Sequence, residues 1–411
     1  MPKYVVAGLA ALAALSALPH AASAPNETWV GAWGFAATSF IPTLAPTATT
    51  SASPPDFDNV TVRQIVRIVQ PAGRIRVRFS NEFGDTPLRI DDAHIALAGE
   101  NGTTIAGSDH VLTFSGHPGC SIAAGAPLLS DALDWKVPAL SKLAISVYLP
   151  QRSTPPAHRV SEFISVPGDF AGAQSLPAAT LQRTGALVSE VDIVSPVANQ
   201  VVVTFGDSIT EGFGSSVNEF RGWSDRLAER LAQNRGTRHW SVVNAGINSN
   251  RLLHNGPGTG ALARLDRDAL SVPGIAAIIL LEGINDIGYS HTVPSEAVTA
   301  DDIIAAYRQI IERAHARGIV VIGATIPPYE NSHYYVVDGE QMRQSVNAWI
   351  RNSATFDGVV DFDAAMRDPA HPSRVNASLE RGDHLHPNDA GYAVMANAVD
   401  LKLLSVISKR H

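Results

Sequence analysis

A serine at the end of an apolar segment is the first feature of this sequence that could do chemistry. The stretch VVVTFGDSITEG, residues 201–212, is apolar up to Phe205 and then turns through Gly-Asp into Ser208. A serine here could cap the N-terminus of a helix, or it could be held out as a nucleophile. The second role requires an adjacent base, because a serine hydroxyl is a poor nucleophile until its proton is removed.

A histidine close to a carboxylate lies near the other end of the chain. In DHLHPNDAGY, residues 383–392, Asp383 and His386 are three positions apart, a separation that a loop or one helical turn can close. An imidazole can act as a general base near neutral pH, and a carboxylate can orient it. His384 lies between them, so two histidines and one carboxylate could also hold a metal ion. A metal site would leave the serine segment unexplained.

Strand-like and helix-like segments alternate from about residue 200 onward. Apolar runs at 201–206, 240–246, 275–283 and 319–328 alternate with helical patterns at 223–234, 261–270, 300–318, 339–353 and 388–407. Continuous apolar strands with helical crossovers predict a doubly wound parallel α/β sheet. In such sheets ligands bind beyond the carboxyl ends of the strands. We therefore expect the residues that end three of these strands, Ser208, Gly246 and Asn285, to meet at one rim.

The preceding part of the chain has the pattern of an all-β region. Apolar and polar residues alternate in segments such as 74–80, 94–99 and 142–150. Period-two alternation gives a strand one buried and one solvated face, which is typical of antiparallel sheets. We predict a β-sandwich over roughly 59–180, with a boundary in VSEVDIVSPVANQ, residues 188–200.

Length and composition limit the classes of protein that this chain could be. Its 411 residues predict two domains, an accessory β-sandwich at 25–195 and an α/β domain at 196–411. The net charge of −8 argues against a nucleic-acid binder, because phosphate binding depends on an excess of Lys and Arg. Cys120 is the single cysteine, so no disulfide can form within the chain.

The first residues have the layout of a secretory signal peptide. Lys3 precedes an apolar run at 5–18, and small residues follow at 21–24. The run is too short for a membrane span, which takes about 20 residues. We predict a signal peptide at 1–24 and a secreted or periplasmic protein without stable membrane insertion.

Four short blocks occur in the order GDSITEG, NAGINSNR, GIND and DHLHP. Together they resemble the sequence blocks of the GDSL/SGNH hydrolase superfamily over about residues 198–411, with Ile209 in place of the leucine of GDSL. The β-rich N-terminal region resembles a secreted branch of that superfamily. The resemblance implies a flavodoxin-like α/β domain that hydrolyses carboxylic esters through an acyl-enzyme.

The resemblance also implies a role for each residue of the site. Ser208 would attack, His386 would transfer protons and Asp383 would orient the imidazole. The backbone N–H groups of Ser208 and Gly246 and the side-chain amide of Asn285 would form the oxyanion hole. No metal or other cofactor is expected.

The substrate and the wider function stay open at this point. Short-chain acyl or aryl esters are one expectation, and O-acetylated polysaccharides are a second, since an added β-sandwich accompanies such domains in carbohydrate esterases. An interpretation of another class is a glycan-binding protein with a degenerate hydrolase scaffold. Transfer of the acyl group to an alcohol would use the same acyl-enzyme. The glycines of GFGSS, residues 212–216, do not complete a phosphate-binding motif.

Overall fold

The computed structural model describes residues 27–39, 57–153, 158, 160–182 and 187–407. The predicted signal peptide at 1–24 lies outside the described residues. Among the residues described, no helix combines the length and the hydropathy that crossing a membrane requires.

The described strands and helices follow the chain in this order. The strands are β1 (Val30–Gly34), β2 (Val60–Ile68), β3 (Ala72–Ser80), β4 (Leu88–Ile90), β5 (Asp92–Leu97), β6 (His110–Val111), β7 (Cys120–Ile122), β8 (Pro127–Leu129), β9 (Leu133–Val137), β10 (Ser141–Leu149), β11 (Glu162–Pro167), β12 (Thr180–Gln182), β13 (Val188–Val194), β14 (Gln200–Gly206), β15 (Trp240–Gly246), β16 (Ile275–Leu281), β17 (Val320–Ala324) and β18 (Gly358–Val360). The helices are α1 (Ser208–Glu211), α2 (Trp223–Gln233), α3 (Ala261–Leu265), α4 (Ile284–Thr292), α5 (Ala300–His315), α6 (Val337–Asn352), α7 (Phe362–Met366), α8 (Asp389–Ala398) and α9 (Lys402–Ile407).

The C-terminal sheet is parallel throughout, which confirms the predicted doubly wound α/β fold. Its strand order is β15-β14-β16-β17-β18, so the first strand in sequence lies between its two successors. Successive side chains of β14 enter different cores. Val202 packs in the cluster that includes Trp223 of α2, whereas Val203 packs in the cluster that includes Ile310 of α5. Burial on both faces explains why these strands are continuously apolar.

Two helical segments differ from their predictions. The segment expected as one helix over 388–407 is broken after Ala398 into α8 and α9. The segment over 261–270 is α-helical only to Leu265 and continues as a π-helical turn over Asp266–Leu270. We did not predict the strand β18, because it is only three residues long. We did not predict the helix α4, because it begins directly after Gly283 and its apolar residues show only weak helical periodicity.

Two larger antiparallel sheets of the N-terminal region share one core, and β4 pairs with β7 in a small third sheet. One sheet has the order β1-β13-β3-β8, with β9 also paired to β3, and the other has the order β12-β11-β2-β10-β5-β6. Val77 of the first sheet packs in the same cluster as Val66 and Ile145 of the second. This arrangement confirms the predicted β-sandwich.

The sandwich extends beyond the predicted end at residue 180. The segment Val188–Val194, which we had expected at the domain boundary, is the strand β13 between β1 and β3. Its polar residues pair across the sheet with arginines of β3, Glu190 opposite Arg78 and Asp192 opposite Arg76. Alternating acidic residues made a buried strand resemble a polar connection.

The antiparallel sheet that contains β1 is in direct contact with the parallel sheet. β1 pairs with β13 and also contacts β15 of the parallel sheet, and the Gly31 N–H donates to the Pro273 carbonyl at 2.9 Å. Val30 belongs to a single apolar cluster that also includes Ile75 of β3 and Val203 of β14. The division into domains at 195/196 stays a prediction, because this shared core crosses it.

Candidate active site

Ser208 is the first residue of α1, immediately after β14. The side chain of Asp207 accepts the Ile209 N–H at 2.9 Å, so the N-cap of this helix is Asp207 and not Ser208. The first N–H groups of a helix have no acceptor within the helix. The Ser208 N–H is therefore an unsatisfied donor at the positive end of α1.

The structure brings together the serine, the histidine and the aspartate predicted from the sequence. Ser208 Oγ and His386 Nε2 are 2.8 Å apart, and His386 Nδ1 and Asp383 Oδ2 are also 2.8 Å apart. The edge of the Phe213 ring contacts the imidazole, with ring centres 4.6 Å apart. A hydroxyl, an imidazole and a carboxylate in one hydrogen-bonded chain can activate the hydroxyl for attack on a carbonyl carbon.

Asp383 remains ionised in this arrangement. Burial acts to raise the pKa of Asp383, but hydrogen bonds from the His386 side chain and backbone lower it more, so that the pKa lies well below its usual range. Its Oδ1 accepts the N–H groups of Leu385, at 3.1 Å, and His386, at 2.8 Å. The carboxylate is thus fixed by the backbone and can stabilise a positive charge on the imidazole.

Asn285 lies at the start of α4, one turn beyond the end of β16. Gly283 precedes it with φ 112, a left-handed conformation that glycine adopts without strain. The buried Asn285 Nδ2 donates to the Asn250 carbonyl at 2.9 Å. An amide nitrogen carries two hydrogens, so one hydrogen of Asn285 is left for a ligand.

Gly246, at the end of β15, packs against α1 and has its N–H engaged within the protein. Its N–H donates to Asn244 Oδ1 at 2.9 Å, so this group is already engaged in the structure. A Cβ on Gly246 would lie 2.2 Å from Glu211 N and 2.7 Å from the Thr210 carbonyl carbon. The glycine lets α1 pack against β15; its absent side chain would meet the helix backbone rather than a substrate. Its role as an oxyanion donor stays a prediction that this hydrogen bond weighs against.

Ser249, in the loop after β15, offers a backbone donor that sequence reasoning missed. Its N–H finds no acceptor among the residues that the structure describes. Its φ of 56 is the left-handed conformation that turns a backbone N–H out of a regular path. Ser249 directly precedes Asn250, whose carbonyl accepts the Asn285 amide, so the loop that carries this N–H is bonded to Asn285. The amino-acid sequence gives no signal for a backbone donor, because every residue type except proline has a backbone N–H.

Three carboxylates are buried beneath the strand ends. Burial raises the pKa of Asp207 to about 7 and that of Asp286 to about 6, and it raises the pKa of Glu282 well above its usual range. Asp286 accepts the N–H groups of Leu252 at 2.8 Å and Leu253 at 3.2 Å, so it holds the backbone of that loop. A set of close buried carboxylates cannot be fully ionised at low cost, so a proton is retained among them near neutral pH.

His384 is half-exposed and lies against Glu380. Its Nδ1 lies 3.4 Å from Glu380 Oε1, and its side chain is 48% exposed. Among the residues described, no group of three or more histidine, cysteine or acidic side chains has an arrangement that could hold a metal ion.

A cavity of about 160 Å³ lies between the β-sandwich and the parallel sheet. Trp33, Phe35 and Arg67 line it from the sandwich, and Phe213 and Phe220 line it from the other side. Because Phe213 also contacts His386, one aromatic ring lies between this cavity and the His386 imidazole.

Residues 204–394 match the family model described as GDSL-like Lipase/Acylhydrolase family. The C-terminal part of this chain is thus similar to the GDSL-like lipase/acylhydrolase family. The matched range includes the serine, the aspartate and the histidine placed together above. An acylhydrolase is a hydrolase that acts on esters, and this is the activity that the match supports.

Solved structures resemble about half of this chain. A GDSL-like lipase from Bacteroides thetaiotaomicron is 21% identical, covers 52% of this chain and 90% of its own, and has a TM-score of 0.38. A catalytic mutant of an acetylxylan esterase from Geobacillus stearothermophilus is 22% identical, with 51% and 95% covered and a TM-score of 0.40. A member of the lipolytic G-D-S-L family from Veillonella parvula is 20% identical, with 48% and 95% covered and a TM-score of 0.37. The comparison with curated proteins gives no match.

Proposed function

We propose that this protein is a serine ester hydrolase that works through an acyl-enzyme on Ser208. The observation that supports this most directly is the hydrogen-bonded chain from Ser208 Oγ through the His386 ring to Asp383, with both links at 2.8 Å. The apolar strand β14 and the Asp207 cap fix the serine, and the backbone N–H groups of the 383–386 loop fix the carboxylate.

In the first half of the reaction, Ser208 Oγ bonds to the ester carbonyl carbon while His386 Nε2 takes the hydroxyl proton. The imidazolium that forms is stabilised by the ionised Asp383. When the tetrahedral intermediate collapses, the bond to the alcohol oxygen breaks and His386 returns the proton to the leaving alcohol. Water then attacks the acyl-serine by the same route, which releases the acid and restores Ser208.

The negative oxygen of the intermediate needs donors that are already oriented. We assign this role to the N–H of Ser208, the N–H of Ser249 and the side-chain amide of Asn285, because each has a hydrogen free of any acceptor among the residues described. Removal of a single donor of this kind typically lowers the rate by about 100- to 1000-fold.

The substrates that we propose are carboxylic esters of small alcohols or phenols with short acyl groups. The layout of residues 1–24 further supports export to the periplasm or the medium, where such esters would be met. The negative net charge of the chain supports neither a nucleic-acid partner nor binding to anionic lipid.

An O-acetylated polysaccharide is a second candidate substrate, and the cavity between the sheets favours it. Trp33 and Phe35 provide flat apolar faces there, and the side chain of Arg67 provides donors. A sugar ring in this cavity would lie one aromatic side chain away from His386, through Phe213. The sandwich would then contribute directly to substrate binding.

The serine mechanism is tested by replacing the nucleophile. Purified Ser208→Ala should lose at least 1000-fold in the hydrolysis of p-nitrophenyl acetate, the scale seen when a triad member is removed. A Ser215→Ala variant changes a nearby loop serine and should keep its rate within about twofold. An organophosphorus reagent should add its mass to Ser208, and wild-type activity in Ser208→Ala would overturn the proposal.

The substrate class is tested with a panel of esters. Acetyl to palmitoyl p-nitrophenyl esters and acetylated xylan separate the two candidates, since only the second predicts release of acetate from the polymer. Glycan retention without any esterase activity would instead favour a binding protein. Products formed with added glycerol distinguish acyl transfer from hydrolysis, because a glycerol ester appears only in the former.

A further inference from the structure

Arg264 is a fully buried arginine beneath the candidate active site. Its side chain has 0% exposure, and the guanidinium carbon lies 4.0 Å from the centre of the Phe205 ring. Its five N–H groups have five acceptors: Nε donates to Asn250 Oδ1 at 2.8 Å, Nη1 to the Ala245 carbonyl at 2.8 Å and Asp268 Oδ2 at 3.3 Å, and Nη2 to the Gly206 carbonyl at 3.0 Å and Glu282 Oε1 at 3.5 Å. A guanidinium can donate no more than this.

Three of these acceptors belong to the segments that present the proposed oxyanion donors. The Gly206 carbonyl ends β14, two residues before Ser208. The Ala245 carbonyl lies one residue before the end of β15, the strand that leads into the loop containing Ser249. Asn250 takes the third bond on its side chain, and its own carbonyl accepts the Asn285 amide at 2.9 Å. One planar group therefore bonds to the ends of two strands and, through Asn250, to the third donor.

We propose that Arg264 is the positioning residue of the oxyanion hole and sets the mutual spacing of its three donors. The inference rests on the proposed serine mechanism. The guanidinium is rigid and planar, so bonds in fixed directions to three chain segments hold those segments in a fixed relation. Displacement of a reacting group by about 1 Å can cost about 100-fold in rate, even when the change is away from the chemistry.

A lysine cannot replace this arrangement. An ammonium has three donors on a single atom and a flexible stem, so it cannot reach Gly206, Ala245 and Asn250 together. Arg264→Lys keeps the positive charge beside Glu282 and Asp268, which isolates the effect of geometry from the effect of leaving buried carboxylates unpaired.

Arg343 supplies a matched control. It is also fully buried, and it bonds to the Ile326 carbonyl, Asp363 and Glu340, away from the three donor segments. Both Arg→Lys variants should lose stability for the same reason, since each leaves buried acceptors without donors. Only Arg264→Lys should lose catalytic rate per correctly folded molecule.

The experiment measures kcat and KM for p-nitrophenyl acetate in full-length Arg264→Lys, Arg343→Lys and the wild type. Rates are divided by the number of active sites that an organophosphorus reagent finally labels. We expect kcat of Arg264→Lys to fall by about 100-fold with KM and the pH profile nearly unchanged, and kcat of Arg343→Lys to stay within about threefold. An equal loss in both variants, or none in Arg264→Lys, would overturn the inference.

Two further measurements keep the outcome decisive. Millimolar guanidinium should restore part of the kcat of Arg264→Ala, whereas equal sodium chloride should not, and it should have no such effect on Arg343→Ala. If the Arg264 variants fail to fold, Asn250→Ala removes the side-chain oxygen that accepts Arg264 Nε, while the backbone carbonyl that accepts the Asn285 amide is kept. This separates Arg264 from the Asn285 donor and should lower kcat at least tenfold. Unchanged kcat in Asn250→Ala would contradict the positioning role of Arg264. Wild-type activity in Ser208→Ala would instead refute the serine mechanism itself.

Discussion

The imidazole of His386 is held from both sides. Its Nε2 faces the Ser208 hydroxyl, its Nδ1 faces Asp383, and the edge of Phe213 closes off part of the ring. The hydrogen bond at Nδ1 favours the tautomer in which Nε2 is free to accept the serine proton. The low pKa of Asp383 keeps its carboxylate charged while the proton is on the imidazole.

Replacing Asp383 by asparagine should therefore impair catalysis without removing the loop structure. The amide favours the wrong imidazole tautomer, and we expect kcat to fall by about 10⁴-fold while KM changes little. His384→Asn is the matched control, because His384 is an exposed neighbour and asparagine tolerates its left-handed φ of 60. Steady-state kinetics of both variants test this, and a loss below tenfold in Asp383→Asn would contradict the assigned role.

Reactive side chains could be predicted from the sequence more readily than backbone donors. Ser208, Asp383 and His386 have the residue types that the chemistry requires, so short patterns around them are informative. A backbone N–H belongs to every residue type except proline, which is why Gly246 was favoured and Ser249 was missed. Arg264 was missed because a charge in the helical pattern of 261–270 indicates a solvated position unless its acceptors are known.

The carboxyl ends of the central strands form the next level of organisation. α1 follows β14, and the side chain of Asn244 links α1 to β15. Its Nδ2 donates to the Thr210 carbonyl of α1 at 2.8 Å, and its Oδ1 accepts the Gly246 N–H of β15. Below them the carboxyl groups of Asp207 and Glu282 are buried with Arg264 as a nearby cation. The rim thus depends on the protonation state of groups that no substrate touches.

The free energy of unfolding should fall as the pH rises from about 4 to about 7. The pKa of Asp207 is about 7 in the folded protein against an ordinary 3.8, so in this window the native state binds a proton that the unfolded chain has released. Each such proton makes the free energy of unfolding fall by up to about 1.4 kcal/mol per pH unit. Above about pH 7 this dependence should end.

Asp207→Asn tests the origin of that slope. Asparagine retains an oxygen that can accept the Ile209 N–H but cannot titrate, so its urea-unfolding free energy should change less between pH 4 and pH 7. Asp338→Asn alters an exposed aspartate and should keep the wild-type slope. Equal slopes in Asp207→Asn and the wild type would show that Asp207 does not hold the proton.

Strands could be predicted from the sequence where every residue along the segment has the same environment, such as burial on both faces of the sheet. β14 and β16 are apolar at nearly every position because helices cover both of their faces. β13 was missed because Glu190 and Asp192 face the arginines of β3, a pairing that depends on a strand more than 100 residues earlier in the chain. Long-range ion pairs of this kind cannot be inferred from local composition.

At the scale of the whole molecule, the two halves are one packed body. The strand β1 lies between them, with Val30 in the shared core and Gly31 against the parallel sheet. Apolar contacts that cross from one half to the other couple their unfolding, since neither can open without exposing surface of the other.

Gly31→Ala should lower the stability of the entire protein. A Cβ at this position would lie 2.9 Å from methyl groups of both Val243 and Val272, and overpacking of this kind costs about 1–3 kcal/mol. Gly73→Ala is the control, because its Cβ would meet only the Val194 carbonyl oxygen at an ordinary 3.5 Å. Scanning calorimetry should show one transition that moves to lower temperature in Gly31→Ala alone; two separate transitions would contradict the coupling.

The position of β1 also has a consequence for how the protein is made. Val30 pairs with Ile193, and the Gly31 N–H binds the Pro273 carbonyl, so this early segment completes its contacts only after residues much later in the chain have been synthesised. Contacts between residues so distant in sequence form slowly, because a long loop must close before they are made. The stretch that leaves the ribosome near the beginning is therefore among the last to reach its final place, and the seam between the halves closes only when synthesis is well advanced.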